Sequence, residues 1–189
     1  MEFPVWKNYY WIDFIKLCEQ FIQEGQLISV KYFTAPPSND GQRSRQSALF
    51  SANKLLYPDT FSQINGNYQN KTIECKKCRK KFEHPEEKRT DVNIAVSMML
   101  DCFNNNADTL VLISADSDQV PTIQAIKKNF PEKKVKVYFP PNRKSAELLA
   151  VLRQVVYLEN NEDKFRASVM PEKIQSGGKV YTRPFEWKH

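Results

Sequence analysis

Apolar residues at Trp11, Ile15, Cys18 and Ile22 recur every three or four positions, which predicts an amphipathic helix over residues 11–24, stopped by Gly25. Residues 28–34 are rich in β-branched and aromatic side chains and read as a strand. The run APPSNDG at 35–41 is a loop, and 43–56 a helix with Ala48, Leu49, Ala52, Leu55 and Leu56 on one face. Residues 61–68 read as a short strand interrupted at Asn65-Gly66. Residues 71–88 show neither period and read as an insert with its own local structure. A helix then opens at Thr90, with Val92, Ala95, Val96, Met99, Cys102 and Phe103 as its apolar stripe, and ends at Asn104-Asn105-Asn106. The unbroken apolar run at 109–113 suits a strand buried on both faces of a parallel sheet. A helix over 120–130 with Pro121 in its first turn, a strand over 134–139, a helix over 145–152 and a short strand over 155–158 follow. Residues 160–189, with Gly177-Gly178 and two prolines, form an irregular extension or hairpin.

Strands alternating with helices imply βαβ units and hence an α/β fold with a mostly parallel sheet. A length of 189 residues fits one domain of 1–159, with an insert at about 69–88 and a C-terminal extension at 160–189. Hydrophobic residues at 41% and charged residues at 26% exclude a fully disordered chain. No apolar run approaches a membrane span, and the N-terminus lacks the basic-then-apolar pattern of a secretory signal. Four cysteines are too few for a disulfide scaffold in a chain this long, so a reducing cytoplasm is expected, with Cys18 and Cys102 as buried thiols.

The net charge of +6 is concentrated. Residues 71–89 hold eight Lys/Arg against four Glu, and residues 127–144 hold seven against one. Two basic stretches suit a polyanion, nucleic acid first, although a solvated charged face explains the same composition. Lys76, Lys77, Arg79, Lys80, Lys81 and Lys88 are the candidate phosphate contacts, and Tyr32, Phe33 or Phe139 the candidate base-stacking rings if they are not core.

The strongest chemical signal is Asp116-Ser117-Asp118 directly after the 109–113 strand, because ligands of open parallel sheets bind beyond the carboxyl ends of the strands. Bare carboxylates repel phosphate, and a hard divalent cation between them reverses that sign. The competing explanation is that Ser117 or Asp118 caps the next helix. Asp91, in the first turn of the Thr90 helix, is a third acid, which interaction with the helix dipole alone would also explain. Cys75-x-x-Cys78, set by its two-residue spacer at a hairpin-like turn, is half of a tetrahedral Zn²⁺ set that His84 or a partner chain would complete, because Cys18 and Cys102 fall on core faces of helices; a loop stabilised without metal is the competing explanation.

Residues 85–95 (PEEKRTDVNIA), 108–121 (DTLVLISADSDQVP) and 137–141 (VYFPP) together resemble the NYN domain, the PIN-like group of metal-dependent ribonucleases, in its bacterial LabA-like branch. The Cys-x-x-Cys insert and the tail RPFEW at 183–187 also occur in that branch. The resemblance implies a PIN-like three-layer α/β sandwich and an acidic cluster binding Mg²⁺ or Mn²⁺ for hydrolysis of RNA. Asp91 matches the acid of the Thr-Asp-Val helix, and Asp116 and Asp118 match the pair after the buried strand. In that reading these three are the catalytic and metal-binding residues, and Ser114 or Ser117 hydrogen-bonds a metal-bound water or the phosphate. Members of the family begin with a buried strand ending in Asp-Gly-x-Asn, which supplies a further acid. This chain starts just after that element, so either its start is truncated or it is a form lacking the first acid, and Asp13, within a helical pattern, does not replace it. A non-catalytic RNA-binding or assembly module of the same fold is therefore the alternative, and a homo-oligomer stays open.

Overall fold

A computed structural model describes residues 4–152 and 154–188; the side chains of residues 4, 5, 70 and 84–86 lie outside the described set. The elements run α1 (Pro4–Lys7), α2 (Phe14–Glu19), β1 (Val30–Thr34), α3 (Asp40–Leu56), β2 (Phe61–Asn65), β3 (Asn67–Glu74) and β4 (Lys81–Lys88). There follow α4 (Thr90–Phe103), β5 (Thr109–Ile113), α5 (Val120–Asn129), β6 (Lys134–Phe139), α6 (Ala146–Val151) and β7 (Val155–Tyr157). The chain ends with α7 (Glu162–Ala167), β8 (Lys173–Ser176) and β9 (Lys179–Thr182). The result is a mixed α/β protein with parallel sheets. Its residues fall into two units: Met1–Thr90 with Ser168–His189, and Asp91–Ala167.

In the first unit, β1 and β2 pair in parallel, connected by α3. Trp11, Ile15, Phe50, Ala52 and Phe61 form its core with Met170 and Ile174 from the C-terminal segment. Helix α2 is much shorter than the expected 11–24, for a long-range reason. Trp11 and Ile12 are held extended: Ile12 bridges Val169, Asp13 N–H donates to the Ser168 carbonyl (2.9 Å), and Met170 N–H donates to that of Trp11 (2.9 Å). The Trp11 indole N–H closes the arrangement on the Pro171 carbonyl at 2.8 Å. Buried Asp13 then caps α2, accepting from Lys16 N–H and from the Tyr57 hydroxyl at 2.7 Å, so it is spent on the fold. That hydroxyl, half-buried and hydrogen-bonded to a carboxylate, has its pKa raised, with desolvation the larger cause.

The insert is an antiparallel hairpin, β3 with β4, in a sheet of two strands. Gly66 separates β2 from β3 at a point with no room for a side chain: a Cβ there would press on Thr90 Oγ1 and come within 2.9 Å of the Lys88 carbonyl oxygen. The C-terminal segment forms a second hairpin, β8 with β9, turning on Gly177 and Gly178, both at positive φ.

In the second unit, β5, β6 and β7 form a parallel sheet in that order. Leu110, Leu112, Val137 and Phe139 pack against Met98 and Cys102 of α4, Ile123 and Ile126 of α5, and Leu148 of α6. Two expectations change here. Strand β5 is not buried on both faces: Leu110 and Leu112 point into the core, while Val111 and Ile113 are each 46% exposed. Among the described residues β5 is paired along one edge, to β6. The buried face of α4 is Met98 and Cys102, flanked by Ile94 and Met99, whereas Val92, Val96, Leu100 and Phe103 lie exposed. The helix carries two apolar stripes, and the sequence period blends them into one.

Cys102 is buried and Cys18 half-buried; both thiols are pushed up in pKa by desolvation, that of Cys18 to about 11. Phe139 is fully buried, and Tyr32 packs on Phe14 and Phe50, so these two rings serve the core rather than a base. Phe33 is half-buried. Among the described residues no helix is long and apolar enough to cross a membrane.

Candidate metal centre

Asp91, Asp116 and Asp118 converge: each offers a carboxylate oxygen, and the three oxygens lie within 4.8 Å of one another, all on exposed side chains of the second unit. Asp91 comes from the first turn of α4, behind an Arg89 held at φ 77° that turns the chain out of β4. Asp116 and Asp118 come from the turn after β5, at the carboxyl end of the parallel sheet.

That turn is built by its own hydrogen bonds. Ser114 Oγ accepts from Asp116 N–H at 3.0 Å, and Asp116 Oδ1 accepts from Asp118 N–H at 3.0 Å. Asp116 is thus the N-cap of a short 3-10 turn, Ser117–Gln119, that leads into α5. Capping occurs here as the competing explanation requires, but the capping residue is Asp116, not Ser117 or Asp118. It does not displace the metal reading, since one oxygen caps and the carboxylate still joins the cluster.

Gln119 is the positioning residue that the sequence concealed. It is fully buried, its Nε2 donates to the Asp91 carbonyl (3.3 Å), and its Oε1 accepts from the Thr122 hydroxyl (3.4 Å). It therefore ties the start of α4 to the turn bearing the other two acids. The sequence signal was a polar residue at a helix entry, which reads as solvent-facing.

An open cleft of about 680 Å³ adjoins the cluster, lined by Ile113–Asp116 on one side and Pro140, Asn142, Arg143 and Lys144 on the other. Arg143 and Lys144, from the 127–144 basic stretch, bring cationic side chains to the rim beside Asp116. Asn142, at φ 60°, shapes that loop, and its N–H donates to Glu159 at 2.7 Å.

The candidate cations of the insert lie in the first unit. Lys76, Lys77, Arg79, Lys80 and Lys81 are exposed at and beside the tip of the β3–β4 hairpin; Lys88 is half-buried at its base, opposite Asn67. Cys75 and Cys78 flank the tip. His84 stands opposite Lys71, three ladder positions back from the final Glu74–Lys81 pair, and its side chain lies outside the described residues.

The donor set fits a hard cation. Oxygens held at roughly 2.0–2.6 Å from a shared ion sit up to about 4–5 Å apart, the span of this cluster, and carboxylates are the hard ligands such ions prefer. A family model described as the NYN domain matches residues 3–159. No curated protein matches the chain. Among solved structures, the crystal structure of a protein of unknown function from Vibrio parahaemolyticus is similar, with a TM-score of 0.50 at 19% identity and 77% of each chain covered; at that identity the likeness concerns the fold.

Proposed function

Because this chain belongs to the NYN domain family, a PIN-like nuclease family, we propose that it is a divalent-metal-dependent ribonuclease acting on single-stranded RNA. The observation that carries this reading is the convergence of Asp91, Asp116 and Asp118 at the carboxyl end of the sheet, beside a cleft rimmed by Arg143 and Lys144. Mg²⁺ or Mn²⁺ held by the three acids would supply an activated water and charge neutralisation at the phosphate.

The chain's own contributions follow from the geometry. Asp116 is fixed by the Ser114 and Asp118 hydrogen bonds, so its carboxylate is aimed before any ligand arrives. Ser114 Oγ accepts from the Asp116 amide and still has its own O–H to donate toward a water or phosphate oxygen. Arg143 and Lys144 attract and seat the RNA backbone from the opposite rim, and an acid of the cluster orients the attacking water.

A second reading, RNA binding without cleavage, is favoured by one observation. The exposed cations Lys76, Lys77, Arg79, Lys80 and Lys81 belong to the first unit, whereas the three acids belong to the second, so a contact of these cations with RNA requires none of the acids. One experiment separates the two. The purified chain is incubated with end-labelled single-stranded RNA, with Mg²⁺, with Mn²⁺ and with chelator. Metal-dependent cleavage that chelator stops supports the ribonuclease. Binding without cleavage supports the second reading, and absence of binding overturns both.

A further inference from the structure

The acids leave one pair of metal-competent side chains unused, in the other unit: Cys75 and Cys78, both free thiols. The hairpin tip that carries them has a specific construction. Cys75 N–H donates to the Lys80 carbonyl (2.9 Å), and Arg79 N–H donates to the Cys75 carbonyl (2.7 Å). Arg79 turns through φ 54° to let the chain return. The Cys75 thiol is held below the ordinary cysteine range, by the backbone N–H of Cys78 first, then by that of Lys77 and by the Cys78 side chain. Such donors stabilise a thiolate and fix the direction of its lone pairs. Both cysteines therefore sit on one tight turn, Cys75 partly exposed and Cys78 exposed.

A closed structural site for a soft d¹⁰ cation needs four ligands in a tetrahedron. Among the described residues no third metal-ligating side chain gathers with the two thiols. Cys102 is buried in the core of the other unit, and Cys18 lies on α2. His84 stands about 10 Å back along the ladder at ~3.4 Å per residue. The tip is also strongly cationic, with Lys76, Lys77, Arg79 and Lys80 around the thiols. Four thiolates on one Zn²⁺ leave a net charge of 2−, which offsets part of the positive charge that the two tips bring together. Without the metal the same cations hold two tips apart by like-charge repulsion.

We propose that Cys75 and Cys78 form half of a Zn²⁺ site that a second copy of this chain completes, two hairpin tips sharing one ion through four thiolates. The pairing is metal-dependent and independent of the acidic cluster. It stands whether or not the protein cleaves RNA.

The test is a Co²⁺ titration of the reduced chain, reading the sulfur-to-cobalt charge-transfer band together with the mass by sedimentation. Only thiolate ligation produces that band, so metal taken up by carboxylates does not contribute. The expected result is saturation at one Co²⁺ per two chains with a doubled mass. Zn²⁺ should displace Co²⁺ and keep the doubled mass, and chelator should restore the monomer. Cys78→Ser should lose both band and doubling; its far-UV circular dichroism checks the fold. Saturation at one Co²⁺ per chain with unchanged mass overturns the shared site. So does absence of the band, or a doubled mass that survives chelation.

Discussion

Asp116 carries two duties that one substitution can pull apart. Its carboxylate belongs to the acidic cluster, and its Oδ1 caps the turn into α5. Asn caps as well as Asp, whereas Ala does not. Asp116→Asn is therefore expected to keep the thermal midpoint, or raise it slightly by relieving repulsion among the carboxylates. It should cut metal-dependent cleavage by at least about 100-fold, since ion-mediated charge stabilisation is worth several kcal/mol. Asp116→Ala should show the same loss of cleavage and also cost about 0.5–2 kcal/mol of stability, read from denaturant unfolding. Equal stability of the two variants would show that the cap contributes nothing. The three acids were legible because their chemistry requires their position: charged residues directly after an unbroken apolar strand, and in the first turn of a helix. Gln119 was not, because its value lies in burial and in a bond to a carbonyl 28 residues away, which local pattern does not encode.

At the scale of elements, the parts that hold the site agree best with the hydrophobic pattern. Helices α4, α5 and α6 and strands β5, β6 and β7 fall close to their expected spans, since each buries a face against a local βαβ partner. In the insert the two-residue cysteine spacer marked the hairpin-like turn, but the strands on either side were illegible, for the opposite reason. Strands β3 and β4 pair in a sheet of two, so most of their described side chains face water on both sides and no alternation marks them. Helix α2 was overestimated because hydrogen bonds to residues 168–171 draw Trp11–Asp13 out of the helical period. The junction at Gly66 gives this scale its prediction. Gly66→Ala places a methyl against the hydroxyl of the short Thr90 side chain and within 2.9 Å of the Lys88 backbone carbonyl oxygen, which cannot swing aside. The strain should cost about 1–3 kcal/mol in chemical denaturation, the usual cost of overpacking, while substitution at Gly41, whose nearest neighbours are side-chain atoms 3.3 Å away or more, should cost less.

At the scale of the whole molecule, the proposed RNA contact is testable through counterion release by a chain of net charge +6. Affinity for a single strand should fall with salt at a log–log slope of about −0.7 per phosphate contact, so near −3 for four contacts. Arg143→Ala with Lys144→Ala should flatten the slope by about 1.4, measured by fluorescence anisotropy across a salt series. An unchanged slope would remove the cleft rim from the RNA path.

The edge of β5 that carries no partner strand among the described residues has a consequence for how the protein behaves in a tube. Its sequence, TLVLI, has no charge and no proline, and Val111 and Ile113 stand exposed on it. Natural edge strands are usually blunted by one of those devices, so this one is a template on which a neighbour's backbone can lie. Repulsion between copies of net charge +6 opposes that pairing, and its range shortens as the Debye length contracts from about 10 Å at 0.1 M salt to about 3 Å at 1 M. High-salt storage, the ordinary remedy for a basic protein that clings to nucleic acid, should here promote slow turbidity, and Val111→Lys should abolish it.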